Sequence, residues 1–424
     1  SLSLTASYAP SWGLWEGIRE LVQNWHDGLL AAPPPEQPGR PTKSPPAVEF
    51  VHAGAPGGPA ERIVARRGDL ETGWCEHLPG DRCIVLVNHL VGLGRQVLLL
   101  GYSRKAQHAD VIGSFGEGLK VGAVALLRKG IRLRMLTNAE TWTFDLAMDP
   151  AFGEQVLTIL VSPRPAALDL AIEGLPECLG ALGTTDTATI IEGVEPHEWA
   201  RLSRRFLFLH PPRAAVRTEV GRLLLDPGMA GDFFVKGVWI NNDPDLAAGV
   251  DLSDIRLDRD RAAVLKKSDL QHQVSAMWAR AVHHDPSLEQ RYYDLLAGER
   301  QCSDTALADL YCDEDLAEAM AKAFRQRHGD AIPIGFKDSN SAKAHQVRTA
   351  LSSTTVVCSQ ALLAVLKKGG VKCDLDDLLQ DRALQARRFI PMAELSDDEL
   401  RCLTVACDLV TRARASEASL MPSV

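Results

Sequence analysis

The sequence predicts an α+β protein, and three observations carry that expectation. An opening stretch, residues 11–30, repeats Leu14, Trp15, Ile18, Leu21 and Val22 at helical spacing. Residues 61–191 then read as a series of strands interrupted by one further helix. From residue 265 to 328 helical patterns take over.

Taken in order, the opening helix is followed by an insertion at 31–60, whose Pro-rich part (31–46) and Gly/Pro-rich part (54–59) cannot form a helix. Strands are expected at 61–67 and 81–87, the second with a near-continuous apolar run at 83–87. A helix is expected at 115–129. Ile131-Arg132-Leu133-Arg134-Met135 alternates with period two, as a half-buried strand does. Segments 142–146 and 155–161 continue the sheet, with 187–191 as its last strand and helices on one face. A second α/β domain is expected over 195–270, where 221–225 and 232–240 read as two strands joined by the turn Asp226-Pro227-Gly228. Residues 271–424 are read as mostly helical. They include a helix at 307–325 and a small α/β unit within 330–371, made of a short strand, a helix at 341–351, a strand at 354–357 and a helix at 360–367. Leu395-Ser396-Asp397-Asp398-Glu399 opens a final amphipathic helix with Ser396 as N-cap.

Composition narrows the function classes. The 424 residues imply two or three domains, and 46% hydrophobic with 24% charged residues is ordinary for a soluble globular protein. There is no run of about 18 apolar residues, so no membrane span is expected. The chain begins with Ser rather than Met and shows no signal-peptide pattern, as a piece of a longer protein would. A net charge of −9 argues against a general nucleic-acid surface and leaves only local patches such as Arg201, Arg204 and Arg205. The nine cysteines contain no C-x-x-C, which speaks against zinc and for reduced thiols in an intracellular protein, cytoplasmic or nuclear. His283-His284-Asp285 reads as a polar helix end before Pro286 rather than as a metal site.

The chemistry is concentrated in two segments. Glu20, Asn24 and Asp27 stand at i, i+4 and i+7 and fall along one face of the opening helix. Aligned in that way, they suit a metal ion with a water to activate. Further on, Gly113-Ser114-Phe115-Gly116-Glu117-Gly118-Leu119-Lys120 reads G-x-x-G-x-G and runs into apolar residues 121–127. Glycines let backbone N–H groups approach an anion, and a helix starting there adds its positive end. The spacing is neither the Walker A pattern nor the dinucleotide G-x-G-x-x-G.

Together these segments resemble the GHKL superfamily of gyrase B subunits, ninety-kilodalton heat-shock chaperones, histidine kinases and MutL, with the MORC proteins close by. The resemblance implies a Bergerat-type α/β sandwich that binds ATP over residues 1–194. It implies that Glu20 is the general base for the attacking water, that Asn24 holds Mg²⁺, and that Asp27 supports the nucleotide pocket. Gly113, Phe115, Gly116, Glu117, Gly118, Leu119 and Lys120 would form the second glycine box against the nucleotide. Leu100-Gly101-Tyr102-Ser103-Arg104-Lys105 is similar to the lid of the MORC and chaperone members, with Lys105 reaching the terminal phosphate.

The first glycine box departs from the family's D-x-G-x-G. In Val87-Asn88-His89-Leu90-Val91-Gly92-Leu93-Gly94, Asn88 stands for the Asp and Gly92 for the second glycine, or else Gly92 and Gly94 are the pair and Leu90 stands where the Asp belongs. The first register is preferred, because Asn keeps an acceptor oxygen for adenine. Loss of the charge weakens that contact by about 1 kcal/mol or more. Gly183-Thr184-Thr185-Asp186-Thr187 resembles the family's late Gly-Thr strand, with Thr185 or Thr187 beside the adenine. Residues 233–238 and 257–261 are faintly similar to the chaperone middle domain, from which Lys236, Arg259 or Arg261 would reach the γ-phosphate. The implied function is a Mg²⁺-dependent, ATP-hydrolysing conformational switch coupled to an ATP-dependent homodimer or a protein partner. The alternative is a nucleotide-binding or inactive scaffold with a degenerate adenine site.

Overall fold

The computed structural model describes residues 4–31, 47–53, 62–99, 117–151, 153–164, 174–298, 302–385 and 392–418. The chain divides into two compact units, Ser1–Leu270 and Gln271–Val424.

The first unit opens with α1 (Leu14–Ala31), whose Ile18, Leu21, Val22, Trp25 and Leu29 are buried as the helical spacing requires. Among the described residues, eight strands then form one sheet: β1 (Glu49–Ala53), β2 (Arg62–Arg67), β3 (Leu70–Leu78), β4 (Cys83–Asn88), β5 (Arg132–Thr137), β6 (Glu140–Asp149), β7 (Glu154–Pro163) and β8 (Thr187–Glu192). Their order is β1-β2-β3-β4-β8-β5-β6-β7. Every neighbouring pair is antiparallel. The strand that comes last in the chain therefore lies at the centre, with Thr187 opposite both Asn88 and Thr137.

Two strands of this sheet, β1 and β3, are not among those the sequence predicts. β1 follows the Pro-rich insertion and is an edge strand with every residue at least partly exposed. β3 carries two Glu, a His and Gly73, so no apolar alternation marks it. Gly73 is required there, because a Cβ would lie 2.1 Å from Val87 O and 2.8 Å from Leu29 Cδ2.

Both faces of the sheet are buried, where cover on one face was expected. α1 and α2 (Gly118–Arg128) pack with Ile84, Leu86, Leu133, Met135, Phe144 and Ile191 on one side. Val64, Trp74, Val85, Val87, Leu136, Ala188 and Ile190 pack with Leu175 and Leu179 on the other. Two-sided burial explains the apolar run of β4, whose alternate residues enter opposite cores. Each such side chain contributes about 1.5–3 kcal/mol. The first core continues through Trp199, Leu202, Phe206, Leu209 and Val238.

The crossing of α1 on α2 is set by two small residues. A Cβ at Gly17 would lie 2.6 Å from Leu126 Cγ and 3.1 Å from Gly122 O. The helices therefore approach more closely than larger side chains allow, and Glu20 is carried onto the first turn of α2.

A helix, α3 (Pro196–Ser203), leads to a second sheet of five strands among the described residues. These are β9 (Ala215–Arg217), β10 (Gly221–Leu224), β11 (Asp232–Val235), β12 (Val238–Asn242) and β13 (Gly249–Leu252), in the order β12-β11-β13-β10-β9. The expected single strand at 232–240 is split, because Lys236 and Gly237 turn left-handed at φ 50° and 77°. Nor is β10 paired with β11; its neighbours are β9 and β13. Asp251 on β13 explains both departures, since it accepts the Gly237 N–H at 2.7 Å and the Arg222 guanidinium at 2.6 Å.

The second unit is mostly helical, with helices at Glu289–Ala297 and Glu314–His328. The helix Lys267–His284 ends at the His pair, as its polar end suggested. The anticipated small α/β unit is present: β14 (Ile332–Gly335) pairs in parallel with β15 (Thr355–Cys358), with helices Ala342–Leu351 and Gln360–Lys368 following the strands. Ser396 caps the last helix, Asp397–Ala418, in a reciprocal arrangement with Glu399. No helix among the described residues is long and apolar enough to cross a membrane.

Candidate functional site

The site is assembled where α1 meets the first turn of α2 and the end of β4. Of the three aligned polar residues on α1, Glu20 and Asp27 are buried and Asn24 is half-buried. Glu20 Oε1 accepts from Arg19 at 3.1 Å (Nη2) and 3.3 Å (Nε), and Arg261 Nη1 stands 3.7 Å away. Its other oxygen faces α2, and a Cβ at Gly118 would fall 2.2 Å from Glu20 Oε2. Gly118 is thus the residue that lets the carboxylate reach the helix start. Burial lowers the pKa of the Arg19 guanidinium, with Glu20 opposing that shift and Arg261 adding to it.

In the first turn of α2, Lys120 N and Val121 N bond to Glu117 O, and the helix supplies no acceptor for the N–H groups of Gly118 and Leu119. Glu117 is the N-cap and makes no side-chain cap. Lys120, expected at the nucleotide, is fully buried, and its ammonium is held by Leu99 O. Burial lowers its pKa, with Glu117 opposing. Lys105, Gly113, Phe115 and Gly116 lie outside the described residues.

At the end of β4, Asn88 is buried and donates Nδ2–H to Trp25 O at 2.9 Å, while Trp25 Nε1 donates to Val87 O at 2.9 Å. Gly28 on α1 sits so close that a Cβ would lie 3.0 Å from Asn88 Nδ2. Asn88 therefore ties β4 to α1 through its amide and keeps Oδ1 as an acceptor. Two residues on, Leu90 adopts φ 58° with its side chain 68% exposed. Left-handed backbone is the conformation a glycine provides readily and a leucine does not. Gly92 packs against Asn138, whose Oδ1 would lie 2.1 Å from a Cβ there.

Asp186, which is not among the site residues the sequence predicts, organises this loop. It accepts from Leu90 N at 2.9 Å, Gly183 N at 2.9 Å and His89 Nδ1 at 3.1 Å. Burial would raise its pKa, but those donors outweigh it and hold the carboxyl below its ordinary range. Its position three residues after Gly183, at the mouth of a strand, was the available signal. Of the two candidate threonines, Thr185 is exposed, whereas Thr187 is buried and bonds Thr137 Oγ1 at 2.8 Å and Val91 O.

Of the three basic residues considered from the later segment, Arg261 reaches Glu20, and it also donates to Gln23 Oε1 at 2.8 Å. Arg259 is exposed and bonds Tyr8 OH at 2.5 Å. Lys236 occupies the β11–β12 turn, its N–H on Leu252 O. Among the described residues no group of three or more His, Cys, Asp or Glu could hold a metal.

No protein-family model matches the chain, and no curated protein matches its sequence.

Proposed function

We propose that the first unit is a Mg²⁺-dependent ATP-binding and ATP-hydrolysing module, of the GHKL type that its motifs resemble, and that it works as a conformational switch coupled to self-association or to a protein partner. The observation that carries the reading is the placement of Glu20 directly against Gly118, at the start of the helix that follows the second glycine box. A carboxylate and helix-start amides that have no acceptor within the helix then share one small space, the pairing that water activation beside a phosphate needs. The left-handed backbone at Leu90 supports the register in which Asn88 stands for the adenine-binding Asp and residue 90 for the first glycine.

In this reading the amides of Gly118 and Leu119 hold phosphate oxygens, and Asn24 offers one oxygen to Mg²⁺. When bound, Mg²⁺ neutralises phosphate charge. Glu20 takes the proton of a water whose oxygen attacks the γ-phosphorus while the bond to the ADP oxygen breaks. Arg261, 3.7 Å from Glu20, would be the cation that stabilises charge on the transferring group. Arg19 orients the Glu20 carboxylate through its two contacts.

One observation favours a second reading, an ATP-binding or inactive scaffold. Asn88 is neutral and its amide is engaged by Trp25 O, so the adenine end lacks the family's charged acceptor. Calorimetric titration with ATP, with and without Mg²⁺, together with a phosphate-release assay, separates the two. Mg²⁺-dependent binding with turnover that Glu20→Ala abolishes is expected. Binding without turnover in the wild-type protein selects the nucleotide-binding scaffold, and no binding at all refutes the ATPase reading and selects a scaffold that holds no nucleotide.

A further inference from the structure

The N-terminal segment 4–13 and the loop carrying Arg261 are joined by direct contacts. Residues 4–6 pair with β7: Leu157 N donates to Leu4 O and Ala6 N to Gln155 O, each at 2.8 Å. Beyond them, Arg128 at the far end of α2 gathers four carbonyls. It donates to Ala6 O at 3.0 Å, Tyr8 O at 2.9 Å, Ala9 O at 2.9 Å and Trp12 O at 2.7 Å. One guanidinium thus fixes the path of the chain from residue 6 to residue 12 and references it to α2.

That fixed segment holds the tip of the 257–264 loop. The loop is closed at its base by Leu257 opposite Val264 and at its tip by Arg261 N on Asp258 O at 3.1 Å. Trp12 Nε1 donates to Asp260 Oδ1 at 3.2 Å, and Arg259 bonds Tyr8 OH at 2.5 Å. Arg19, the partner of Glu20, lies over the Trp12 ring at 5.3 Å and donates to Asp260 O at 3.2 Å. Asp260 directly precedes Arg261, whose backbone is left-handed at φ 54°. Without outside support, a non-glycine residue in that conformation is disfavoured.

We propose that Trp12 and Asp260 are positioning residues, and that the strap 4–13, clamped by Arg128, sets Arg261 against Glu20. The proposal deepens the ATPase reading of the same site. The strap also makes a closed circuit: α2 contacts Glu20 through Gly118 at one end and, through Arg128, the strap at the other. A shift of α2 on nucleotide binding would therefore be passed to Arg261 by a second route.

The test uses the full chain and four variants: Trp12→Phe, Asp260→Ala, Asp260→Asn and the double Trp12→Phe/Asp260→Ala. Hydrogen exchange of the Arg261 and Ala262 amides is read first, then kcat and KM for Mg·ATP. Losing the single bond raises exchange by roughly 3- to 10-fold in Trp12→Phe and Asp260→Ala. The double should match either single, since both remove the same bond. Asp260→Asn keeps the acceptor oxygen and should behave as wild type. kcat should fall by a similar factor with KM unchanged. Unchanged exchange in both single variants, or additive effects in the double, overturns the proposal. A wild-type protein without turnover defeats the ATPase reading instead, and the exchange data still decide the strap.

Discussion

Substituting Gly118 with alanine asks whether the Glu20 carboxylate occupies the place that would make it a base. The new Cβ would lie 2.2 Å from Glu20 Oε2 and 3.2 Å from its Cδ. Carbon–oxygen contacts settle at about 3.3–3.6 Å, so the carboxylate must retreat by about 1 Å. Its bonds to Arg19, at 3.1 and 3.3 Å, are already at the long end of the range and would break. Loss of a charge-assisted bond costs about 1.5–3 kcal/mol. Against this stands the benefit of Ala over Gly in a helix, about 0.5–1 kcal/mol. The net effect is a destabilisation of about 1–2 kcal/mol, or a Tm lower by about 2–6 °C in a unit of this size. In a Glu20→Ala background the obstacle is gone, and Gly118→Ala should stabilise by about 0.5–1 kcal/mol. Urea and thermal denaturation of the four proteins of this cycle, followed by tryptophan fluorescence, measure the coupling directly, which should be about 2 kcal/mol. An equal cost of Gly118→Ala in both backgrounds would refute the geometry. If the first unit hydrolyses ATP, the same displacement should lower kcat by about 100-fold.

Other substitutions probe the adenine end. Asn88→Asp replaces the donor to Trp25 O with a buried carboxylate and should cost about 1–3 kcal/mol in a melt without nucleotide; added Mg·ATP should recover part of it, and an unchanged Tm contradicts the role assigned to the amide. Leu90→Gly relieves about 1–2 kcal/mol of left-handed strain at a side chain that is 68% exposed, offset by about 0.5–1 kcal/mol of chain entropy. It should leave stability unchanged or raise it, and a lowered Tm counts against the strain argument. Asp186→Asn tests the depressed carboxyl. A folded-state pKa below the unfolded one adds stability above the unfolded value of about 3.9, and that stability is lost as pH falls through the folded pKa. The wild-type advantage over Asp186→Asn in thermal melts should therefore be constant above about pH 5 and close below about pH 4. A gap that widens in acid would show the sign to be wrong.

The parts of this molecule that could be read from the sequence are those whose cause is local. Helix α1 follows from the spacing of Ile18, Leu21, Val22 and Trp25. β4 follows from its apolar run, and the cap at Ser396 from the Ser–Glu399 spacing. The turn between β11 and β12 escaped the same reading because its anchor, Asp251, comes 14 residues later. β3 escaped because its stability comes from neighbours on both sides rather than from its own pattern.

The candidate site divides along the same line. The sequence by itself determined that Glu20, Asn24 and Asp27 share a helix face and that glycines precede a second helix, because a period of 3.6 residues and the backbone freedom of glycine are properties of short stretches. Only the tertiary structure decided that Gly17 and Gly122 let those helices close on each other, that Gly118 admits the Glu20 carboxylate, and that Arg261 rather than Arg259 or Lys236 stands beside it. It also decided that β8 inserts between β4 and β5, which brings Asp186 and Thr187 under the loop that begins at Asn88. These contacts join residues dozens to hundreds of positions apart. Their selection rests on packing and on the satisfaction of buried polar groups across the whole core, which no local spacing encodes.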